Sequence, residues 1–229
     1  MGWTKLADVK GTGTNTFTTP NMDSSGADFF LATWTDALAA SPPALTDSRG
    51  LTWTQAVRYD PVGSTTSNVY FSWNANGGAA HNFTLTGTAQ FASLQVSAWS
   101  GSQIASSPFD QSNNNLQFGG TTVSTGSVTP TTNDQLVATH LSFGNQVADA
   151  TIDGGFTTPG YGDLGSGGVY IGSERSYLIQ TTATAANPTW TVGTAANLYT
   201  VITTFKAGPP TTPGLPILLG EPTLGGSFF

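Results

Sequence analysis

The chain contains no cysteine, which excludes thiol catalysis, Cys-type zinc centres and a disulfide framework. Charge is scarce as well. Only 8% of the 229 residues are charged, where about 25% is usual, so solubility must rest on Thr, Ser, Asn and Gly. The six basic residues, Lys5, Lys10, Arg49, Arg58, Arg175 and Lys206, form no patch, and the net charge is -7. That balance argues against sequence-independent binding to nucleic acid, which needs cations on the phosphates. No apolar run approaches the roughly 18 residues of a membrane span. Residues 1–8, MGWTKLAD, lack the apolar stretch of a signal peptide, and no cleavage site follows.

Catalytic vocabulary is equally thin. Glutamate occurs only at 174 and 221, and histidine only at 81 and 140. There is no HExxH, no GxSxG and no Gly-rich phosphate loop with its Lys. A DxDxDG calcium spacing is also absent, so no metal and no cofactor are expected. Most of the eleven Asp stand in turn-like settings: Asp23-Ser-Ser-Gly, Asp47-Ser-Arg-Gly, Asp60-Pro-Val-Gly, Asp153-Gly-Gly and Asp163-Leu-Gly. They read as side chains that bond the backbone of their own turn. Distant residues could still assemble a Ser–His–Asp triad, but His140 reads as a half-buried packing residue. The expectation is a protein that is not an enzyme.

What the chain does have is strand and turn. Alternating runs rich in Thr, Val and aromatics fall at 29–35, 52–59, 68–73, 82–86, 93–99, 135–141, 169–175, 189–192 and 198–205. Weaker runs lie at 5–10, 15–19 and 121–128, and no segment keeps a 3.6-residue apolar period. About ten to twelve short strands predict an all-β, antiparallel sandwich of jelly-roll type. Five of the six tryptophans, at 3, 34, 53, 73, 99 and 190, fall in these runs, where core packing is the ordinary reading. One or two exposed aromatics would instead suit a glycan.

The sandwich domain is expected over 1–206, with a faint internal match of 28–99 to 134–205. Asp28-Phe-Phe-Leu-Ala-Thr-Trp34 resembles Asp134-Gln-Leu-Val-Ala-Thr-His140, and the turn at Asp47 matches that at Asp153. Val69-Tyr70-Phe71 then parallels Val169-Tyr170-Ile171. Two readings stay open here, a true repeat and the shared composition of Thr- and Val-rich strands.

Residues 207–229, AGPPTTPGLPILLGEPTLGGSFF, are different. Five prolines and five glycines forbid a long helix or a central strand. Yet Leu215, Ile217, Leu218, Leu219, Leu224, Phe228 and Phe229 are too apolar for an ordinary linker. The segment reads as an extended C-terminal arm that docks on a partner surface or on its own domain through those seven residues.

Residues 28–206 resemble a β-sandwich family of tailed-phage virion proteins that also occurs among secreted bacterial proteins. The carriers are Asp28-Phe-Phe-Leu-Ala-Thr, Thr46-Asp47-Ser-Arg-Gly-Leu-Thr-Trp53, Val69-Tyr-Phe-Ser-Trp73 and Leu94-Gln-Val-Ser-Ala-Trp-Ser-Gly101. Pro108-Phe-Asp110, Thr132-Asn-Asp-Gln-Leu-Val-Ala138 and 199–205 complete them. The resemblance implies attachment or decoration and transfers no catalytic residue. With the arm, it leads to the expectation of a virion protein made in the host cytoplasm, with capsid decoration or cement as the leading role. Its partners would be other virion proteins, the major capsid protein first, and further copies of itself. Neither nucleic acid nor membrane is expected as a partner, while a glycan partner stays open. The alternative is a carbohydrate-binding or adhesion module of a tail fibre or secreted protein. A glycan-degrading enzyme with paired carboxylates is a remote third.

Overall fold

The computed structural model describes residues 2–37, 42–61, 65–88, 91–102, 106–144, 150–159, 164–166 and 169–208, with backbone alone at 164–166 and 169–171. Among them there is no helix, and the sheets are antiparallel and packed as a sandwich. The strands are β1 (Thr4–Gly13), β2 (Thr16–Thr18), β3 (Phe29–Ala37), β4 (Ala44–Asp47), β5 (Thr54–Tyr59), β6 (Thr65–Trp73) and β7 (Phe83–Thr86). They continue as β8 (Phe91–Ser100), β9 (Phe109–Ser124), β10 (Gln135–Phe143), β11 (Thr151–Ile152), β12 (Leu164–Ser166), β13 (Val169–Gln180) and β14 (Thr189–Phe205). One sheet has the order β1-β8-β3-β6-β5. The second runs β11-β14-β10-β13-β12, with β9 also paired to β14. A small sheet, β2-β7-β4, lies outside the first.

The burial of β3 explains its sequence. Phe29 and Leu31 face the second sheet, among Phe71, Trp99, Leu136 and Phe205. Phe30, Ala32 and Trp34 face the other way, under Phe83 and Leu85 of β7. A strand covered on both faces needs a nearly continuous apolar run, and FFLATW supplies one. β10 is treated alike: Leu136 and Ala138 point inward, while Leu141 and Phe143 pack beneath Trp190 and Val192.

Residues 28–99 and 134–205 arrange their strands in the same way. The order β1-β8-β3-β6-β5 of the first sheet is repeated as β9-β14-β10-β13-β12 in the second. Facing strands exchange consistently when the halves are swapped: β8 over β13 becomes β14 over β6, and β1 over β12 becomes β9 over β5. The sequence match nevertheless has the wrong register. Phe29 pairs with Trp99, and Leu136 pairs with Phe205, so the place of Phe29 is taken by Leu136. His140 then corresponds to Thr33 and not to Trp34. One residue of slip turns a side chain to the opposite face. His140 is accordingly not half-buried but 0% exposed, and it points between the two sheets. Val69 and Val169 do not correspond either. Val69 pairs with Thr33, whereas the residue paired with His140 is Arg175.

Four strands carry no clear sequence signal: β4, β11, β12 and the first three quarters of β9. Residues 109–120 of β9 read FDQSNNNLQFGG, a loop composition. They form an edge strand because β14 offers a ladder along their whole length. Polar side chains are tolerated, even favoured, at an edge. Asn113 and Asn115 donate to the carbonyls of Ser127 and Ser124, so the chain after β9 folds back beside it.

Gly172 shows how tight the second sheet is. It pairs directly with Phe143, whose buried ring occupies the space of a side chain at 172. Gly172→Ala is expected to destabilise by about 1–3 kcal/mol through overpacking. Gly144→Ala, where a Cβ meets only open space near Thr65, is expected to change stability by less than about 0.5 kcal/mol. Urea denaturation of the two variants checks the contrast.

Candidate functional site

Leu215, Ile217, Leu218, Leu219, Leu224, Phe228 and Phe229 lie outside the described residues. The root of the arm is within them, and it is firmly held. Lys206 donates its backbone N–H to Pro108 O at 2.7 Å, and Gly208 donates to Gly101 O at 2.7 Å. Ala207 forms a β-bridge with Ser102. The 101–102 turn is held in turn by Asp28, whose carboxylate accepts the N–H groups of Gly101 and Ser102 at 3.0 and 3.1 Å. Gly101 has φ 106°, and a Cβ there would press on the carbonyl of Gly2 at 2.6 Å. Glycine is therefore required where the N-terminal segment and the arm root leave the sandwich side by side.

Asp110 ties the same corner together. Its carboxylate accepts Thr131 N at 2.8 Å, Thr131 Oγ1 at 2.6 Å and Gln135 Nε2 at 2.8 Å, and it pairs with Lys206 Nζ at 3.2 Å. Burial would raise this carboxyl, but the hydrogen bonds from Thr131 and Gln135 and the Lys206 ammonium outweigh it and hold it below the usual range. Both Asp28 and Asp110 belong to the segments that carry the family resemblance. Their signal was simply an Asp beside a strand end.

Two histidine networks assemble from distant parts of the chain. His81 lies between Ser24 and Asp47, with Nδ1 2.9 Å from Ser24 Oγ and Nε2 3.1 Å from Asp47 Oδ1. Nε2 thus faces the Asp47 carboxylate and Nδ1 faces Ser24, whose hydroxyl also donates to Gly78 O at 3.1 Å. A hydrolytic triad uses the opposite nitrogens, with Nε2 on the serine. Ser24 and His81 are both 0% exposed, and Ser24 Oγ also accepts Gly78 N at 3.0 Å. Phe30 and Phe83 pack on the imidazole at 5.0 and 4.4 Å between ring centroids. No substrate carbonyl has room beside Oγ, and the network serves to join β4 and β7 to the loops before β3 and after β6.

Asp47 is the hub of that network. Oδ1 also accepts Arg49 N at 2.8 Å, the turn bond expected from Asp47-Ser-Arg-Gly50. Oδ2 accepts Leu51 N at 3.1 Å and Trp53 Nε1 at 2.9 Å. Burial alone would raise the carboxyl, but the bonds from His81, Trp53 and Arg49 hold it below the usual range. Asp23 likewise accepts Ser25 N in its own turn. Asp153 differs, for its Oδ1 accepts Thr189 N across the chain. Asp60 pairs with Arg58, and Asp163 lies outside the described residues.

His140 occupies the second network. Nδ1 is 2.7 Å from Ser67 Oγ on the first sheet, and Nε2 is 2.8 Å from Ser173 Oγ on its own. Thr35 and Ser142 bond at 2.6 Å one step further along. The space between the sheets is therefore aromatic at one end and hydroxyl-rich at the other. Burial drives the His140 pKa down to about 3, helped by the nearby Arg175 guanidinium. Arg175 itself is buried and donates to Asp8 on β1 at 2.6 Å.

The chain matches no family among known proteins, no curated protein and no solved structure. Among the described residues no group of three or more His, Asp or Glu is placed to hold a metal ion. Of the tryptophans, Trp3, Trp34, Trp99 and Trp190 are buried and Trp53 and Trp73 are half-buried. None of the six is fully exposed. The largest exposed apolar side chain described is Phe118, on the β9 edge.

Proposed function

We propose that this chain is a non-enzymatic structural protein of a phage particle, with capsid decoration or cement as its role. The sandwich is the body, and residues 207–229 are the arm that fastens it to the major capsid protein or to further copies of itself. The observation that carries this reading is the contrast at the arm root. The chain is pinned through Gly208 by Gly101, Ser102 and Asp28. From that fixed point begins a segment rich in proline and in large apolar residues. A fixed root confines the arm to a small volume, which raises its effective concentration at a surface the body already touches. Its prolines limit the entropy lost on docking. At about 25 cal/mol per Å², several large side chains supply a few kcal/mol after that cost.

The test is a truncation after Gly208, which leaves the Ala207 and Gly208 contacts in place. The truncated protein is expected to melt within about 3 °C of the full chain, since less than about 1 kcal/mol of folding free energy is removed. It is expected to lose at least about tenfold in affinity for purified phage capsids, about 1.4 kcal/mol. Co-sedimentation with capsids reads the affinity. Equal capsid binding by both forms, or unfolding of the truncated one, would contradict the docking role.

A further inference from the structure

The two halves each have a cleft in the same place, between the turn that follows β4 or β11 and the loop that follows β6 or β13. In the first half the cleft is about 440 Å³ and is lined by Ser48, Arg49, Leu51, Asn76 and Ala80. Arg49 reaches from the turn to donate to Ala79 O at 3.0 Å, and its guanidinium covers Gly78. In the second half the turn reads Asp153-Gly154-Gly155 and carries no Arg. Gly154 and Gly155 have φ 72° and 76°, and the space beside Gly155 is empty. The second cleft, which no Arg spans, is larger, about 530 Å³. That lies within the roughly 300–1,000 Å³ of small-molecule sites.

We propose that this second cleft binds a neutral saccharide. Phe156, Leu178 and Pro188 form an apolar wall, while Asp153, Thr182 and Asn187 supply polar groups at the rim. Asp153 Oδ1 is engaged by Thr189 N, which orients the exposed carboxylate and leaves Oδ2 for a ligand hydroxyl. The loop is preorganised: Gln180 Nε2 donates to Thr184 O at 2.9 Å, and Ala183 N donates to Asn133 Oδ1 at 2.8 Å. A sugar has apolar C–H faces and hydroxyl edges, which match this division of the lining. A carboxylate at the rim, with no Lys or Arg in the lining, repels anions. The ligand class is therefore neutral rather than sialylated, sulfated or phosphorylated. This proposal does not rest on the arm and adds recognition to a structural role.

Saturation-transfer NMR on the full chain tests it, with glucose, galactose, N-acetylglucosamine, lactose, cellobiose and 3′-sialyllactose as probes. Transfer is expected to at least one neutral sugar and not to 3′-sialyllactose. Phe156→Ala and Asn187→Ala are each expected to weaken that binding about tenfold, the loss of one ring contact or one hydrogen bond. Asn187 is exposed, so its variant should melt as wild type does, which guards against misfolding in Phe156→Ala. Truncation after Gly208 should leave sugar binding unchanged even where it abolishes capsid binding. No transfer to any neutral sugar, equal transfer to 3′-sialyllactose, or signals that survive both substitutions would overturn the proposal.

Discussion

Acidification from pH 6.5 to pH 5 is expected to remove about 1.6 kcal/mol of folding stability through His140 alone. The unfolded histidine titrates near 6.5, and the folded one near 3. Between those values the unfolded chain binds a proton that the folded chain refuses, so stability falls as pH falls, by about 1.4 kcal/mol per unit. The cause is geometric: the imidazole is sealed between the sheets, bonded to two serines, with the Arg175 cation nearby. Asp36 works in the opposite direction. Burial raises its carboxyl, against the bonds from Thr66, Trp34 and Asn68, so it takes up a proton in the folded state as the pH falls. A His140→Gln comparison isolates the histidine. At pH 7 the variant is expected to be less stable than wild type, because the fit to Ser67 and Ser173 is imperfect. The gap should close or reverse by pH 5, as the variant has no proton to refuse. Urea melts at pH 7, 6 and 5 give the slopes, and parallel slopes for the two proteins would show that His140 is not the titrating group.

Asp47→Ala is expected to cost about 3–5 kcal/mol, because it strands four donors at once, three of them partly buried. The carboxylate holds Arg49 N, Leu51 N, Trp53 Nε1 and His81 Nε2, and its side chain is 0% exposed. Loss of the acceptor leaves the His81 Nε2 proton unpaired in a cage of Phe30 and Phe83. Asp47→Asn should cost less, since Oδ1 can still accept while the amide meets only some of the donors. Thermal melts would rank Ala below Asn below wild type. The small sheet β2-β7-β4 should loosen first, read as faster hydrogen exchange at Phe83 and Leu85 than at β10. A cost below about 1 kcal/mol would place the network outside the folding core.

The two variants also separate folding from attachment. Asp47→Ala weakens the body and leaves the arm root intact, whereas truncation after Gly208 does the reverse. Capsid affinity per folded molecule should therefore be unchanged by Asp47→Ala and reduced by truncation.

Most of the strands were legible because their signals are local. Alternation and turn residues mark 29–35 and 135–141, and β3 and β10 begin at those same residues. The Asp47 turn was legible for the same reason, as Asp-Ser-Arg-Gly states its own geometry. β9 was not, because its Asn, Gln and Gly say loop and only the ladder offered by β14 makes it a strand. The networks of Ser24, His81 and Asp47, and of Ser67, His140 and Ser173, were equally hidden. Their members stand 33 to 73 residues apart, and each is an ordinary residue in its own neighbourhood. Residues 207–229 stand apart by composition, as apolar residues set among prolines, and all of them beyond Gly208 lie outside the described residues.

By itself, then, the sequence determined an all-β chain, its principal strands, the Asx turns at Asp23 and Asp47 and a C-terminal segment unlike the rest. These depend on backbone preferences and on residues within a few positions of one another. Tertiary structure alone decided register, and with it the face each side chain takes. A slip of one residue between the halves moves His140 from the place of Trp34 to that of Thr33, from beneath an outer layer to the space between the sheets. Pairing partners far along the chain set that choice, and no local pattern encodes it.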